Sequence, residues 1–170
     1  MSKTVKLGNK VLGGGNPILI QSMVNVKTSK IAEVVEQIKE LETIGCDVIR
    51  VSVKDDEDVK AIKEIKKQIS IPLVADIHFN YKYALGAIDG GVDKIRINPG
   101  NIGSEDKVAE VARAIKANGV CVRVGSNSGS VEKEILAKYG KNEISLAESA
   151  LKNVAILEKQ GIDNIVVSVK

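Results

Sequence analysis

Apolar residues recur along this chain in two alternating rhythms. Short runs with a period of two read as β-strands at 18–23, 48–53, 73–78, 94–98, 120–124 and 165–170. Between them, apolar residues return every three or four positions, as on the buried face of a helix. Ile31, Val34, Val35, Ile38 and Leu41 trace one such face, Val59, Ile62 and Ile65 a second, and Val108, Val111, Ala112 and Ile115 a third. The spacing predicts helices over 29–44, from about 55, over 81–89 and 105–118, up to about 139, and over 145–160. Gly45, Gly90 and Gly119 stand where three of them should stop. Ahead of this series, Val5, Leu7, Val11 and Leu12 flank Gly8-Asn9, which predicts a hairpin within residues 1–15. Gly13-Gly14-Gly15 precedes a strand instead of joining a strand to a helix, so it reads as a turn and not as a phosphate loop.

Six strands separated by five helical crossovers, one of them doubled, predict an α/β fold with a parallel sheet and right-handed connections. A doubly wound sheet would gather its ligand at one switch point. A (β/α) barrel would bring the C-terminal end of every strand to one mouth. Nearly every strand here carries polar residues at that end, which favours the barrel. Eight-stranded barrels take about 250 residues, so six strands in 170 residues read as an incomplete TIM-type barrel. The expected organisation is a single domain over 1–170, with five βα units and a sixth strand over 18–170.

Strands covered by helices should be apolar on both faces. In 94–98, however, Ile95 and Ile97 alternate with Lys94, Arg96 and Asn98. Arg50, Asp76, His78, Arg123, Asn127 and Lys170 lie at the corresponding ends of other strands, with Gln21 on the first. Of 25 basic residues only Arg50, Arg96, Arg113 and Arg123 are arginine, and three of those four fall in strands. A guanidinium offers a planar fork for phosphate or carboxylate, a geometry that surface solubility does not need. Asp76 is the one strand carboxylate facing Arg50, Arg96, Arg123 and Lys170, which leaves an excess of three positive charges. Buried charge of that kind needs a partner, and a ligand bearing two phosphates would supply one. The loops 100–104 and 126–130 add backbone N–H groups that suit phosphate oxygens, although Ser104 and Ser130 are also ordinary N-cap residues. His78, the one histidine, reads as a substrate contact or proton donor, with a structural role as the alternative. Asp76 reads either as a catalytic carboxylate or as the partner of an arginine.

Composition narrows the classes further. A net charge of +3, with 2% aromatic residues and no long basic run, argues against nucleic acid. No stretch approaches a membrane span, and the first ten residues have no apolar leader core. Cys46 and Cys121 lack C-x-x-C spacing and a nearby histidine, so they read as buried thiols in a reducing, cytoplasmic compartment, with no metal site in this chain.

Gln21-Ser22-Met23, Arg50-Val51-Ser52-Val53, Ala75-Asp76-Ile77-His78-Phe79, the run from Arg96 to Gly103 and the closing Val167-Ser168-Val169-Lys170 resemble the 4-hydroxy-3-methylbut-2-enyl diphosphate synthase family of isoprenoid biosynthesis. The likeness spans essentially the whole chain. It implies a TIM-barrel domain that binds the cyclic diphosphate of 2-C-methylerythritol through Arg50, Arg96, Arg123 and Lys170, with Asp76, His78, Asn98 and Asn127 assisting. It also implies a reductive ring opening fed by flavodoxin or ferredoxin through a [4Fe-4S] cluster, in a homodimer. In that family the cluster ligands lie in a C-terminal domain, which is expected to be absent from residues 1–170. Cys46 and Cys121 do not match those ligands, so the chain should be the substrate-binding barrel alone and inactive by itself. Two other readings remain: a pterin- or phosphate-binding transferase barrel resembling dihydropteroate synthase, and a partial barrel whose open edge strands drive association.

Overall fold

The computed structural model describes residues 3–78 and 80–170. Met1 and Ser2, at the start of the expected hairpin segment, and Phe79, at the end of the Ala75-to-Phe79 string, lie outside the described residues. The hairpin is formed by β1 (Val5–Leu7) and β2 (Lys10–Leu12), antiparallel, with Leu7 opposite Lys10. Gly8 holds the turn at φ 55°, and a Cβ there would meet the Asp93 carboxylate at 2.6 Å. The position therefore needs glycine both for its backbone and for the close approach.

Six further strands form one parallel sheet: β3 (Gln21–Met23), β4 (Val48–Ser52), β5 (Leu73–Asp76), β6 (Lys94–Ile97), β7 (Cys121–Ser126) and β8 (Ile165–Val169). Their order in the sheet is their order in the chain. A doubly wound fold would reverse direction somewhere, and this sheet does not. The crossovers are α1 (Ile31–Thr43), α2 (Asp56–Lys66), α3 (Tyr81–Asp89), α4 (Glu105–Asn118), and the pair α5 (Lys133–Tyr139) and α6 (Glu143–Lys159). Each element matches an expected one. No helix among the described residues is long and apolar enough to cross a membrane.

Every strand of the sheet is offset from its expected bounds by one to three residues, and two of the differences have a visible cause. The ladder of the first covers only Gln21–Met23 because Ile20 gives its N–H to the Asp47 carboxylate, and β4 is its one neighbour. β7 runs on through Gly125 to Ser126, where Gly125 pairs with Ser168 and Ser126 with Val169. Glycine marked the expected end, but pairing with β8 overrides its weak strand propensity.

The two faces of the sheet have separate tasks. Ile49, Val51, Leu73, Ala75, Ile95, Ile97, Val122 and Val124 are fully buried under the helices and form the main core. The opposite, inner face carries Val48, Val74, Cys121 and Val166 near the strand N-termini, packed against Val5, Leu7, Leu12 and Leu19. The hairpin thus closes this end of the barrel, and the Asn164 side chain clamps it by bonding both N–H and C=O of Lys6 at 2.9 Å. Leu7→Ala should destabilise the chain by about 2–5 kcal/mol, the usual effect of emptying a fully buried leucine site. Urea denaturation checks this, and a change under 1 kcal/mol would mean that the hairpin is not part of the cooperative core.

Candidate functional site

Register brings the strand-end side chains to one place. Asp76 pairs with Arg96 across β5 and β6, and Arg96 with Arg123 across β6 and β7, so all three project from the inner face at one level. One level nearer the strand N-termini, Lys94 pairs with Cys121. Met23, Arg50, Asp76, Arg96, Arg123 and Ser168 line one cavity of about 450 Å³. In a flat sheet β3 and β8 would stand about 24 Å apart, five strand spacings. A single cavity touching both requires the sheet to be rolled, with its polar ends turned inward.

The carboxylate of Asp76 is the centre of this arrangement. Its side chain is 5% exposed, and Oδ1 accepts from Arg96 Nη1 at 3.0 Å while Oδ2 lies 3.6 Å from Arg50 Nη2. His78 sits beside it, half-exposed, with Nε2 3.7 Å from Oδ2 and Nδ1 3.5 Å from Arg96 Nη1. A guanidinium only donates, so a hydrogen bond between these two groups would have Nδ1 as its acceptor. Arg123 donates to Ser168 Oγ at 2.6 Å. Burial first, and then the like charges of Arg50 and Arg96, lower its pKa from the usual arginine value. Arg50 points its Nη2 and Nε at Met23 Sδ, at 2.9 and 3.2 Å, a weak acceptor for a cation. Gly125 accounts for how Arg96 fits: a Cβ there would stand 3.3 Å from its Nε and 3.4 Å from its Nη2.

Lys170 and Asn127 also line the cavity. Asn98 does not. Its Oδ1 accepts the Gly100 N–H at 3.1 Å and caps the 3₁₀ turn Pro99–Asn101. Gln21 accepts from Lys94 Nζ at 2.9 Å, below the arginine level. The two polar loops differ from the expectation in a way that bears on ligand binding. Ser130 is not a helix cap, since α5 begins at Lys133 after Glu132. Its hydroxyl accepts the Asn127 N–H instead. The N–H groups of Ser128, Gly129 and Ser130 already donate to Lys170 O, Asn127 Oδ1 and Asn127 O. Those of Gly100 and Asn101 are likewise occupied, by Asn98 and Asn153. At these five positions the amides are not free donors, and the positive charge bordering the cavity comes from side chains.

Ser52, Lys54 and Ser168 line the cavity without having been singled out from sequence. Each lies an even number of residues from Arg50 or Lys170, so the parity that found the arginines would have found them too. A larger concavity of about 620 Å³ lies beside the hairpin, lined by Lys3, Lys6 and Lys10. It holds no converging buried charge, so volume alone does not choose the site.

Among the described residues no group of three or more His, Cys, Asp or Glu side chains could hold a metal ion. Cys46 and Cys121 are both buried, and burial pushes the Cys121 thiol up to about 11, away from the thiolate that a cluster ligand must be. These two thiols do not suit an iron–sulfur cluster.

The model of the GcpE TIM-barrel domain matches residues 2–170. The chain belongs to this GcpE family. A relative from Caldanaerobacter subterraneus subsp. tengcongensis, named 4-hydroxy-3-methylbut-2-en-1-yl diphosphate synthase (flavodoxin), is 54% identical over 171 residues, covering 100% of this chain and 48% of that protein. Proteins of the same name from Caldicellulosiruptor saccharolyticus and Thermotoga petrophila are 55% and 52% identical, with 100% of this chain and 49% and 48% of theirs covered. The chain therefore spans about half the length of the curated relatives it matches. Among solved structures, the 7,8-dihydropteroate synthase of Vibrio fischeri superposes with a TM-score of 0.71 at 15% identity, covering 98% of this chain and 66% of that one. The dihydropteroate synthase of Xanthomonas albilineans, in complex with 7,8-dihydropteroate, gives 0.70 at 17%, covering 98% and 64%. At such identities the likeness is one of fold alone.

Two outcomes test the electrostatics. Asp76→Asn should lower stability by about 2 kcal/mol in anion-free buffer, less than for a fully buried pair because Arg50 and Arg96 keep 25% and 22% of their side-chain surface. Pyrophosphate should restore more stability to this variant than to the parent, as read by urea denaturation with and without it. Lys94 is 4% exposed, and burial lowers its pKa. Between that lowered value and the ordinary lysine value the unfolded chain binds more protons, so stability should rise with pH there and be lowest below it. Lys94→Met should raise the thermal midpoint at pH 7 and flatten that rise; an unchanged pH profile would place the ammonium in water.

Proposed function

We propose that this chain is the substrate-binding barrel of a 4-hydroxy-3-methylbut-2-enyl diphosphate synthase, holding the cyclic diphosphate of 2-C-methylerythritol at its mouth. The observation that carries the reading is the imbalance around Asp76: three guanidiniums and Lys170 border one cavity in which a single carboxylate opposes them. A diphosphate supplies the missing negative charge, and guanidinium forks match its oxygens. Arg50, Arg96, Arg123 and Lys170 bind the phosphates, Asn127 assists at the rim, and Asn98 shapes the neighbouring turn. Asp76 keeps Arg50 and Arg96 aimed together. His78, beside Asp76, is the group that as an imidazolium could hand a proton to a departing hydroxyl, which leaves as water while the ring becomes neutral.

The reaction is a reduction, and the name of the relatives supports flavodoxin as donor, with ferredoxin as the other carrier of suitable chemistry. The [4Fe-4S] cluster would be held by a part of the parent enzyme outside these 170 residues, in a cytoplasmic homodimer, and the barrel alone would not turn over. No step is assigned to Cys46 or Cys121.

Isothermal titration with the cyclic diphosphate tests the reading. The chain should bind it, more weakly as salt rises, and Arg96→Ala should weaken binding about 10–100-fold, the value of one charge-assisted hydrogen-bonded contact. An unchanged dissociation constant in that variant would overturn the site.

A further inference from the structure

On α6 the residues facing the barrel are not the ones a packing helix would choose. Ser145, Ser149, Asn153 and Leu157 recur every four positions, each 1% exposed. Ser145 is explained by the capping box it forms with Asn142. Asn153 stands deep in the helix, where asparagine is a poor helix former and a buried amide is costly unless bonded. Its bonds run to two different loops. Oδ1 accepts the Gly100 N–H at 3.0 Å, in the loop that follows β6 and Arg96. Nδ2 donates to Ser149 O at 2.8 Å and to Glu132 Oε1 at 3.4 Å, at the end of the loop that follows β7 and Arg123. A Cβ on Gly100 would come within 3.3 Å of Asn153 Oδ1, so the contact also depends on glycine there. Glu132 Oε2, by contrast, is buried without a hydrogen-bond partner. A half-met network of this kind is not what stability alone selects, since an apolar side chain at 153 would be the simpler solution.

We propose that Asn153 is a positioning residue for the anion cavity: from outside it, the amide ties the β6 and β7 loops together and so fixes the spacing of the side chains those strands present. The inference rests on the diphosphate reading of the cavity. Three variants of the full chain decide it: N153L, N153D and N153D/E132Q. N153L removes every bond of the amide at similar volume. N153D keeps an acceptor for Gly100 but sets two carboxylates against each other, and E132Q then gives the Asp a donor.

Dissociation constants for the cyclic diphosphate should be measured well below each variant's melting temperature, with hydrogen exchange at residues 98–103 and 126–132. N153L and N153D should weaken binding about tenfold and speed exchange in both loops, while N153D/E132Q should return to within about twofold of the parent. Lower melting temperatures with unchanged affinity and loop exchange would overturn the inference and leave Asn153 merely structural. Faster exchange in only one loop would overturn the tie between them. If the parent chain itself fails to bind the cyclic diphosphate, the substrate reading falls and the cavity role with it, whereas the exchange data still decide the tie.

Discussion

One carboxylate shared between two guanidiniums, with a third close by, is the constraint to which the rest of this barrel conforms. Asp76 can serve Arg50 and Arg96 together only because β5 lies between β4 and β6 and the register puts all three residues on the inner face. Arg123, one strand further on, donates to the Ser168 hydroxyl and pairs with no carboxylate among the described residues. The charges are therefore held near one another by the sheet and not by their own attraction. Hydrophobic burial on the outer face supplies the stability that keeps like charges at this spacing. A rolled parallel sheet can do so because its two faces are chemically independent: helices cover one, and the other is free to be polar.

The same independence explains what could be read from the sequence. Period two within strands and near 3.6 between them exposed every crossover, and sequential strand order followed from a polar residue at nearly every strand end. The arginines were legible as a group because few arginines exist in the chain and most of them fall in strands. How the charges share partners was not legible. Sequence gives the level of a residue along its strand, but a hydrogen bond depends on which neighbour strand stands beside it and on where the side chain bends. Asn98 has the parity of a site residue and yet turns back to cap its own loop. Gly125 looked like a strand terminator, whereas its missing Cβ leaves room for the Arg96 guanidinium. Asn153 carried no signal at all, since a polar residue in an amphipathic helix reads as solvent-facing until the helix is docked.

The two ends of the barrel divide the work between fold and chemistry. At the strand N-termini the hairpin fills the interior with Val5 and Leu7, and Cys121 and Lys94 lie within or beside that dry layer. Burial holds Cys121 as a thiol there, its pKa pushed up to about 11, and lowers the pKa of Lys94. At the C-termini the described residues that line the interior are mostly charged or polar. The boundary is a single strand level, between Lys94 and Arg96 on β6 and between Cys121 and Arg123 on β7.

Anion recognition at such a mouth can come from backbone N–H groups or from side chains, and the two differ in consequence. Backbone donors are fixed partial charges, able to hold a phosphate without placing net charge in the apo protein. Here the loop amides at 100–101 and 128–130 are already bonded within their own neighbourhood. The guanidinium and ammonium groups that border the cavity carry a net charge that is unfavourable while the cavity is empty and would be offset by an anion. Such a site trades stability in the apo state for sensitivity to ligand charge. On the proposed diphosphate reading, ligands would be sorted by number of negative charges before shape.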